Sequence, residues 1–327
     1  MSNKKWHLPP PGQMDKASGI YFQNMTMKDL AERRKKNDVL IVPIGSTETH
    51  GPGEPLGEDT LMVTRLAEEV ARVTGCTVAQ PLWYGSHPYH HVGMPGTVVI
   101  PEDIFISYIQ AMLAGFWNAG FRKQILLNGH GQENVIPIAI HKFTKQYQVP
   151  CVLAMVHWWW VAGKLASEKE DGGPFTTGLV HACEVECSYT MALCPEMVKP
   201  QDLIDVPLVE SYVKGNHVNN PTQTKGYPIP YWAQEGIKCG VEVQIYPEGN
   251  LGPSTRASAE KALPGVEAVL DYLEMLVNNI LEAFPPGKLP PVEEFTARSG
   301  PDFEATLKQP YDSGWKHLYT LGWPPTL

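Results

Sequence analysis

Two short apolar runs each end in a glycine-flanked set of metal-ligand residue types, and this pairing constrains the chain more than any other feature. Val39 to Ile44 reads as a buried strand. It runs out into Gly45-Ser46-Thr47-Glu48-Thr49-His50-Gly51, with Asp59 shortly beyond. Gln124 to Leu127 reads as a second strand and leads into Asn128-Gly129-His130-Gly131-Gln132-Glu133-Asn134. In an open α/β sheet, ligands gather at the carboxyl ends of strands. Carboxylates and imidazoles delivered by two strand ends point to one shared metal site. A lone Glu-x-His pair is common in solvated loops and carries little information. Two such groups, each following an apolar strand, carry far more.

The rest of the chain alternates in the same way. Met27 to Lys36 has an amphipathic pattern. Met62, Leu66, Val70 and Val73 recur at helical spacing within Leu61 to Thr74, which stops at Gly75. Val78 to Leu82 is a short strand. Pro101 opens a helix with Glu102 and Asp103 in its first turn, where acids suit the helix dipole. Further helices are expected over Asn134 to Gln146, Glu184 to Leu193 and Ser258 to Phe284, with a strand over Cys151 to Val156. Strands alternating with helices predict a three-layer α/β/α sandwich around a mainly parallel sheet. Val206 to Gly240 reads as a long irregular loop. Residues 1–284 form the expected catalytic domain, and 285–327 a Pro- and aromatic-rich arm. Trp315, Tyr319 and Trp323 recur there every four residues and suit docking on a neighbouring subunit.

Bulk properties exclude several partners. The chain has 327 residues, 43% of them hydrophobic, ample for a large core. Its net charge of -9 and the lack of any Lys/Arg-rich run argue against nucleic acid. No apolar run approaches the ~20 residues of a spanning helix, and Pro9-Pro10-Pro11 stands where a secretory signal would be apolar. Six cysteines without a Cys-x-x-Cys pair read as reduced thiols, which suits a cytoplasmic location.

Six ordered motifs give the chain a family resemblance from about Met25 to Phe284. They are Gly45-Ser-Thr-Glu-Thr-His-Gly51 with Asp59; Tyr84-Gly85-Ser86; Met94-Pro95-Gly96-Thr97; Asn128-Gly129-His130-Gly131; His181-Ala-Cys-Glu-Val-Glu-Cys-Ser188; and Gly249-Asn-Leu-Gly-Pro with Ala257-Ser-Ala-Glu-Lys261. In these the sequence resembles the creatininase family, creatinine amidohydrolase-like metal hydrolases. The resemblance implies an α/β/α fold, often hexameric, and hydrolysis of a small cyclic substrate at a two-metal centre. It implies two divalent ions (Zn, Mn or Fe) bridged by Asp59, with Glu48 and His130 on the first and His50 and Glu133 on the second. A water between such ions becomes acidic enough to attack at neutral pH. Asn134 lies four residues after His130, where family members usually place Asn three after, so Gln132 is the alternative to Glu133. His181 and Glu186 match the family's catalytic segment, His181 as proton donor or shuttle and Glu186 orienting it or binding metal. Ser86, His91, Gly131 and Trp159 are the expected substrate contacts; His87 and His90 lie beside His91, and Trp158-Trp159-Trp160 suits a pocket wall.

Thr177 and Gly178 stand where the family's creatinine-handling enzyme has a Trp-Asp pair, and Gly131 where it has a Tyr. Creatinine itself is therefore disfavoured. The expected reaction is opening of a cyclic amide at its C–N bond. The alternative is C–C hydrolysis of a diketo-inositol such as 3-dehydro-scyllo-inosose. Asn216, Asn219 and Asn220 add hydrogen-bonding groups suited to a hydroxylated ring. A third reading, a non-catalytic assembly protein with a structural metal, fits poorly, because structural zinc sites are usually thiolate-rich.

Overall fold

The computed structural model describes residues 17, 19–87, 91–147, 149–207 and 247–291. The expected loop over Val206 to Gly240, with its asparagines, lies almost wholly outside the described residues. So do His90 and, beyond residue 291, the aromatic arm.

Four parallel strands form the central sheet: β1 (Val39–Ile44), β2 (Thr77–Val78), β3 (Lys123–Asn128) and β4 (Val152–His157), in the order β2-β1-β3-β4. β1 and β3 are buried along their whole length, which is why each reads as a continuous apolar run instead of an alternating one. Their side chains nevertheless alternate between two cores. Val39, Ile41, Ile125 and Leu127 face one layer, packed by α2 (Glu58–Thr74) and the long helix α7 (Ala259–Ala283). Leu40, Val42, Ile44 and Leu126 face the other, packed by α3 (Glu102–Asn118) and α4 (Val135–Tyr147). Helix α1 (Met27–Lys36) opens with a capping box between Thr26 and Asp29. The short α5 (Trp158–Ala162) follows β4 directly, then come α6 (Glu184–Leu193) and a two-residue antiparallel ladder of β5 (Asp205–Val206) with β6 (Gly252–Pro253). This is the three-layer α/β/α architecture expected from the sequence.

Pro43 sits in a central strand, where a missing N–H normally breaks the ladder. Its carbonyl accepts from Leu82 N–H at 3.0 Å on the β2 side, past the point where β2 has ended at Val78. The absent donor thus faces a stretch with no paired strand. Leu82 remains only as an isolated bridge to Ile44, so the second strand is shorter than the apolar run Val78 to Leu82 predicts.

α2 also departs from its predicted start. It begins at Glu58, three residues before the first apolar position, and carries Glu58 and Asp59 in its first turn, both buried. Apolar periodicity cannot register a helical turn whose inward side chains are carboxylates. Gly45 and Gly129, at the ends of β1 and β3, let this turn dock. A Cβ on Gly45 would lie 2.4 Å from the Thr60 backbone nitrogen, and one on Gly129 2.2 Å from the Asp59 carbonyl oxygen.

β2 lies on one side of β1 and β3 on the other, so the strand order reverses at β1. The crevice beyond the carboxyl ends of β1 and β3 is the switch point where such sheets bind ligands.

Candidate metal centre and active site

Four buried histidines share one arrangement: one ring nitrogen donates to a main-chain carbonyl and the other faces carboxylates. His50 Nδ1–H donates to the Glu48 carbonyl at 3.2 Å, His87 Nε2–H to Val98 at 3.2 Å, His130 Nε2–H to Ser86 at 3.1 Å, and His181 Nε2–H to Thr49 at 2.7 Å. Each contact orients its ring and turns the other nitrogen inward, in position to bind a cation. Histidine ligands of metals are commonly oriented in this way.

The inward atoms converge on Glu48, which is 1% exposed. Its Oε1 lies 3.0 Å from His130 Nδ1, 3.8 Å from His181 Nδ1 and 4.0 Å from His50 Nε2. Its Oε2 lies 3.0 Å from His87 Nδ1 and is in close contact with His91 Nδ1. Asp59, in the first turn of α2, approaches His130 Nδ1 at 3.2 Å through Oδ2 and His50 Nε2 at 3.8 Å through Oδ1. Ser46 holds Oδ2 by donating its hydroxyl at 2.5 Å. Glu58 brings Oε2 to 3.5 Å from His50 Nε2, and neither atom makes a hydrogen bond.

The electrostatics fit a bound cation. Burial alone would raise the Glu48 pKa, but His130, His91 and His181 overcome it and hold the carboxyl well below its ordinary value. Burial opposes protonation of His130, yet Glu48 and Asp59 raise it well above the usual imidazole range. Glu58 and Glu186 are pushed well up, first by burial and then by Asp59 and their other acidic neighbours. Burial also depresses the His87 pKa, against the pull of Glu48. Carboxylates this deep need positive charge among them. Three sets of ligand atoms lie close enough to hold an ion: Glu48, His87, His91 and His130; Glu48, His50 and His181; and His50, Glu58 and Asp59.

The fold accounts for each position. Glu48 and His50 leave the end of β1, and His130 leaves the end of β3. Gln132, 3% exposed, ties the two ends together. Its Nε2 donates to the Gly45 carbonyl at 3.1 Å and to Asn128 Oδ1 at 3.0 Å, and its Oε1 accepts from Ser86 N–H at 3.0 Å. The amide is spent on these three bonds. Glu133 is half-buried, with its pKa raised by burial, and contributes no oxygen to the three ligand sets.

His181 precedes α6. Ala182 next to it has φ of 47°, the left-handed region a non-glycine residue enters at a cost. Two contacts hold the turn: Ala182 N–H donates to Glu186, and Leu251 N–H donates to the His181 carbonyl at 2.9 Å. The segment after Gly249 therefore backs His181. Ser86 lends its main chain to His130 and Gln132, and Gly131 is exposed, with nothing within 4 Å of where a Cβ would stand. Trp159 lies on α5, its ring 4.8 Å from that of His157. Trp158 is wholly buried core, and Trp160 is 63% exposed. Sequence reasoning passed over Glu58 and gave His87 no metal role. The His-x-x-x-His spacing of His87 and His91 was the available signal.

The sequence profile of the Creatininase family, described as creatinine amidohydrolase, matches residues 23–277. The chain belongs to the creatininase family. It is 51% identical over 309 residues to 3-dehydro-scyllo-inosose hydrolase of Thermotoga maritima, covering 94% of this chain and 99% of that protein. Creatinine amidohydrolase of Pseudomonas putida is 24% identical over 213 residues, covering 58% of this chain and 78% of that one. A crystal structure of creatininase superposes with a TM-score of 0.64 at 21% identity, covering 82% of this chain and 99% of the other. The family places the chain among metal-dependent hydrolases, in agreement with the buried ligand sets. No described helix is long and apolar enough to cross a membrane.

Proposed function

We propose that this hydrolase opens the ring of a diketo-inositol by C–C bond hydrolysis, with 3-dehydro-scyllo-inosose as substrate. The observation that carries the reading is the 51% identity, over nearly the full length of both chains, to a relative of that name. The first expectation from sequence, a cyclic amide C–N bond, needs the same water activation. It takes second place because the creatinine amidohydrolase relative is only 24% identical and because Thr177 and Gly178 replace the Trp-Asp pair.

Glu48, His50, Asp59 and His130, with Glu133 as the fifth residue from the family pattern, would hold two divalent ions of the Zn, Mn or Fe type. Bound there, such ions supply Lewis-acid polarisation of a ketone and acidify water at neutral pH. In the reaction, water oxygen bonds to one ketone carbon. The bond from that carbon to its neighbour on the side of the second ketone breaks, and the electron pair passes into that ketone as an enolate. A proton then returns to the departing carbon, giving one carboxylate and one ketone. His181 suits the transfer: Thr49 fixes its Nε2–H, so Nδ1 takes the proton from water and delivers it to carbon. Glu186 positions that ring through Ala182. Ser86, His91, Gly131 and Trp159 border the substrate. We place the enzyme in the cytoplasm, in keeping with the free thiols of Cys76, Cys151, Cys183, Cys187 and Cys194, and as a homohexamer by family resemblance.

The test is to offer purified protein the diketone and creatinine separately and follow acid release and ring opening. Turnover of the diketone alone is expected. Turnover of creatinine with none of the diketone overturns the reading.

A further inference from the structure

We propose that His87 and His91 are themselves metal ligands, completing with Glu48 and His130 a pocket of three imidazoles and one carboxylate. The proposal rests on the metal-dependent reading above and assigns one of its ions a ligand set not expected from the sequence.

Both histidines come from the segment that leaves the Leu82 bridge. Its return is held by two bonds: Val98 N–H donates to the Thr47 carbonyl, just past the end of β1, at 2.9 Å, and Ile100 N–H donates to the Gly85 carbonyl on the outgoing stretch at 3.0 Å. The four side chains are 1% (Glu48), 5% (His87), 5% (His91) and 2% (His130) exposed, so none has been left to water. Their ligand atoms all lie within 4.8 Å of one another.

The ring contacts point to what belongs between them. Nε2 of His87 lies 3.2 Å from the Val98 carbonyl and Nε2 of His130 3.1 Å from that of Ser86, so each ring turns its Nδ1 towards Glu48. Both Nδ1 atoms lie 3.0 Å from Glu48 oxygens. The rings are packed around that carboxylate, with centroids 4.6 Å apart for His87 and His130, and 6.1 Å apart for His91 and either of them. A single divalent ion there would meet all of these inward atoms at once, and rings held by a main-chain carbonyl on the far nitrogen are the usual form of histidine ligands. His91 brings Nδ1 to the same Glu48 oxygen as His87 and supplies the third nitrogen.

The donor set also selects the ion. Three imidazoles and one carboxylate suit zinc or iron(II) over the harder manganese and magnesium. The neighbouring set of His50, Glu58 and Asp59 is oxygen-rich. The two ions would therefore sit in chemically unlike pockets, the nitrogen-rich one formed with His87 and His91.

Full-length protein stripped by chelation and titrated with zinc tests this without any substrate, so an error in the substrate leaves the outcome intact. His87→Gln and His91→Gln should each weaken one zinc ion at least tenfold while the other binds as in wild type. X-ray absorption of the unaltered protein at one zinc per chain should count three imidazoles, a readout that does not depend on the variants folding. Wild-type zinc affinities in both folded variants, or one imidazole per zinc in the native protein, would overturn the proposal. A fully active His91→Gln enzyme with unchanged affinities would sink the proposal alone and leave the hydrolase reading standing.

Discussion

His130 holds Nδ1 3.0 Å from Glu48 Oε1 while its other ring nitrogen is already committed to the Ser86 carbonyl. A strand end from β1 and one from β3 are thus held at ligand distance by a pair whose geometry calls for a positive charge between them. Asp59 approaches the same nitrogen at 3.2 Å and faces His50 at 3.8 Å, so its carboxylate lies between the groups that would bind two ions.

Metal content follows from this placement. Purified wild-type protein should carry two divalent ions per chain, and Asp59→Ala should lose at least one while remaining folded. Elemental analysis and circular dichroism decide it. Two ions retained by the variant at wild-type affinity would remove Asp59 from the bridging role.

Gln132 provides a separate test of the strand-end geometry. Replacing its amide by a carboxylate removes both donors, so Gln132→Glu sets oxygen against the Gly45 carbonyl and Asn128 Oδ1. Burying acceptors without donors costs on the order of 1–3 kcal/mol, so the variant should unfold at lower urea. If position 132 were a ligand in the folded protein, the same change would tighten metal binding and raise stability in the presence of zinc.

His181 is predicted to act in proton transfer. His181→Gln should keep the metal and fold but lose turnover by about 10²–10⁴-fold. Near-normal kcat would assign the proton to another group, with Glu186, held against Ala182 N–H beside His181, the next candidate. Glu186→Gln should give a milder loss, because it acts on the ring only through Ala182 N–H.

Much of this was legible in the sequence, for physical reasons that differ by element. β1 and β3 announced themselves because strands buried on both faces are continuous apolar runs. The end of each strand, and therefore Glu48, His50 and His130, followed directly. The start of α2 was hidden because its first turn faces the site with carboxylates, which also concealed Glu58. The choice between Gln132 and Glu133 turns on which way a tight turn faces, and spacing along the chain does not record that. The placement of His87 against Glu48 was hidden because it depends on the Val98 carbonyl, a contact made when the chain returns past β1. Trp158 and Trp160 are adjacent in sequence, yet one is core and the other exposed, as the start of a helix directly after β4 requires.

His157 gives the fold a pH dependence away from the metal ligands. It ends β4, is 1% exposed, and accepts at Nδ1 from the Asn128 amide at 2.9 Å. Burial lowers its pKa from the ordinary 6.5 to about 4. Between these values the unfolded chain binds the proton more readily, so stability rises with pH through that window and is lost as pH falls from 6.5 towards 4. The full contribution is about 3 kcal/mol at 1.36 kcal/mol per pKa unit. Unfolding free energies of wild type and His157→Phe between pH 4 and 7 should show a shallower slope in the variant, by up to one proton. Equal slopes would show that this ring does not titrate as described.

The central claim is that the chain's metal-dependent site hydrolyses a carbon–carbon bond in a diketo-inositol. The most direct measurement is mass spectrometry of the product formed by zinc-loaded protein from 3-dehydro-scyllo-inosose in ¹⁸O-labelled water. The account predicts an open-chain keto acid with label in its carboxylate, formed by the metal-loaded protein and not after chelation. Unchanged diketone in the presence of metal, or equal ring opening by the chelated protein, would contradict it.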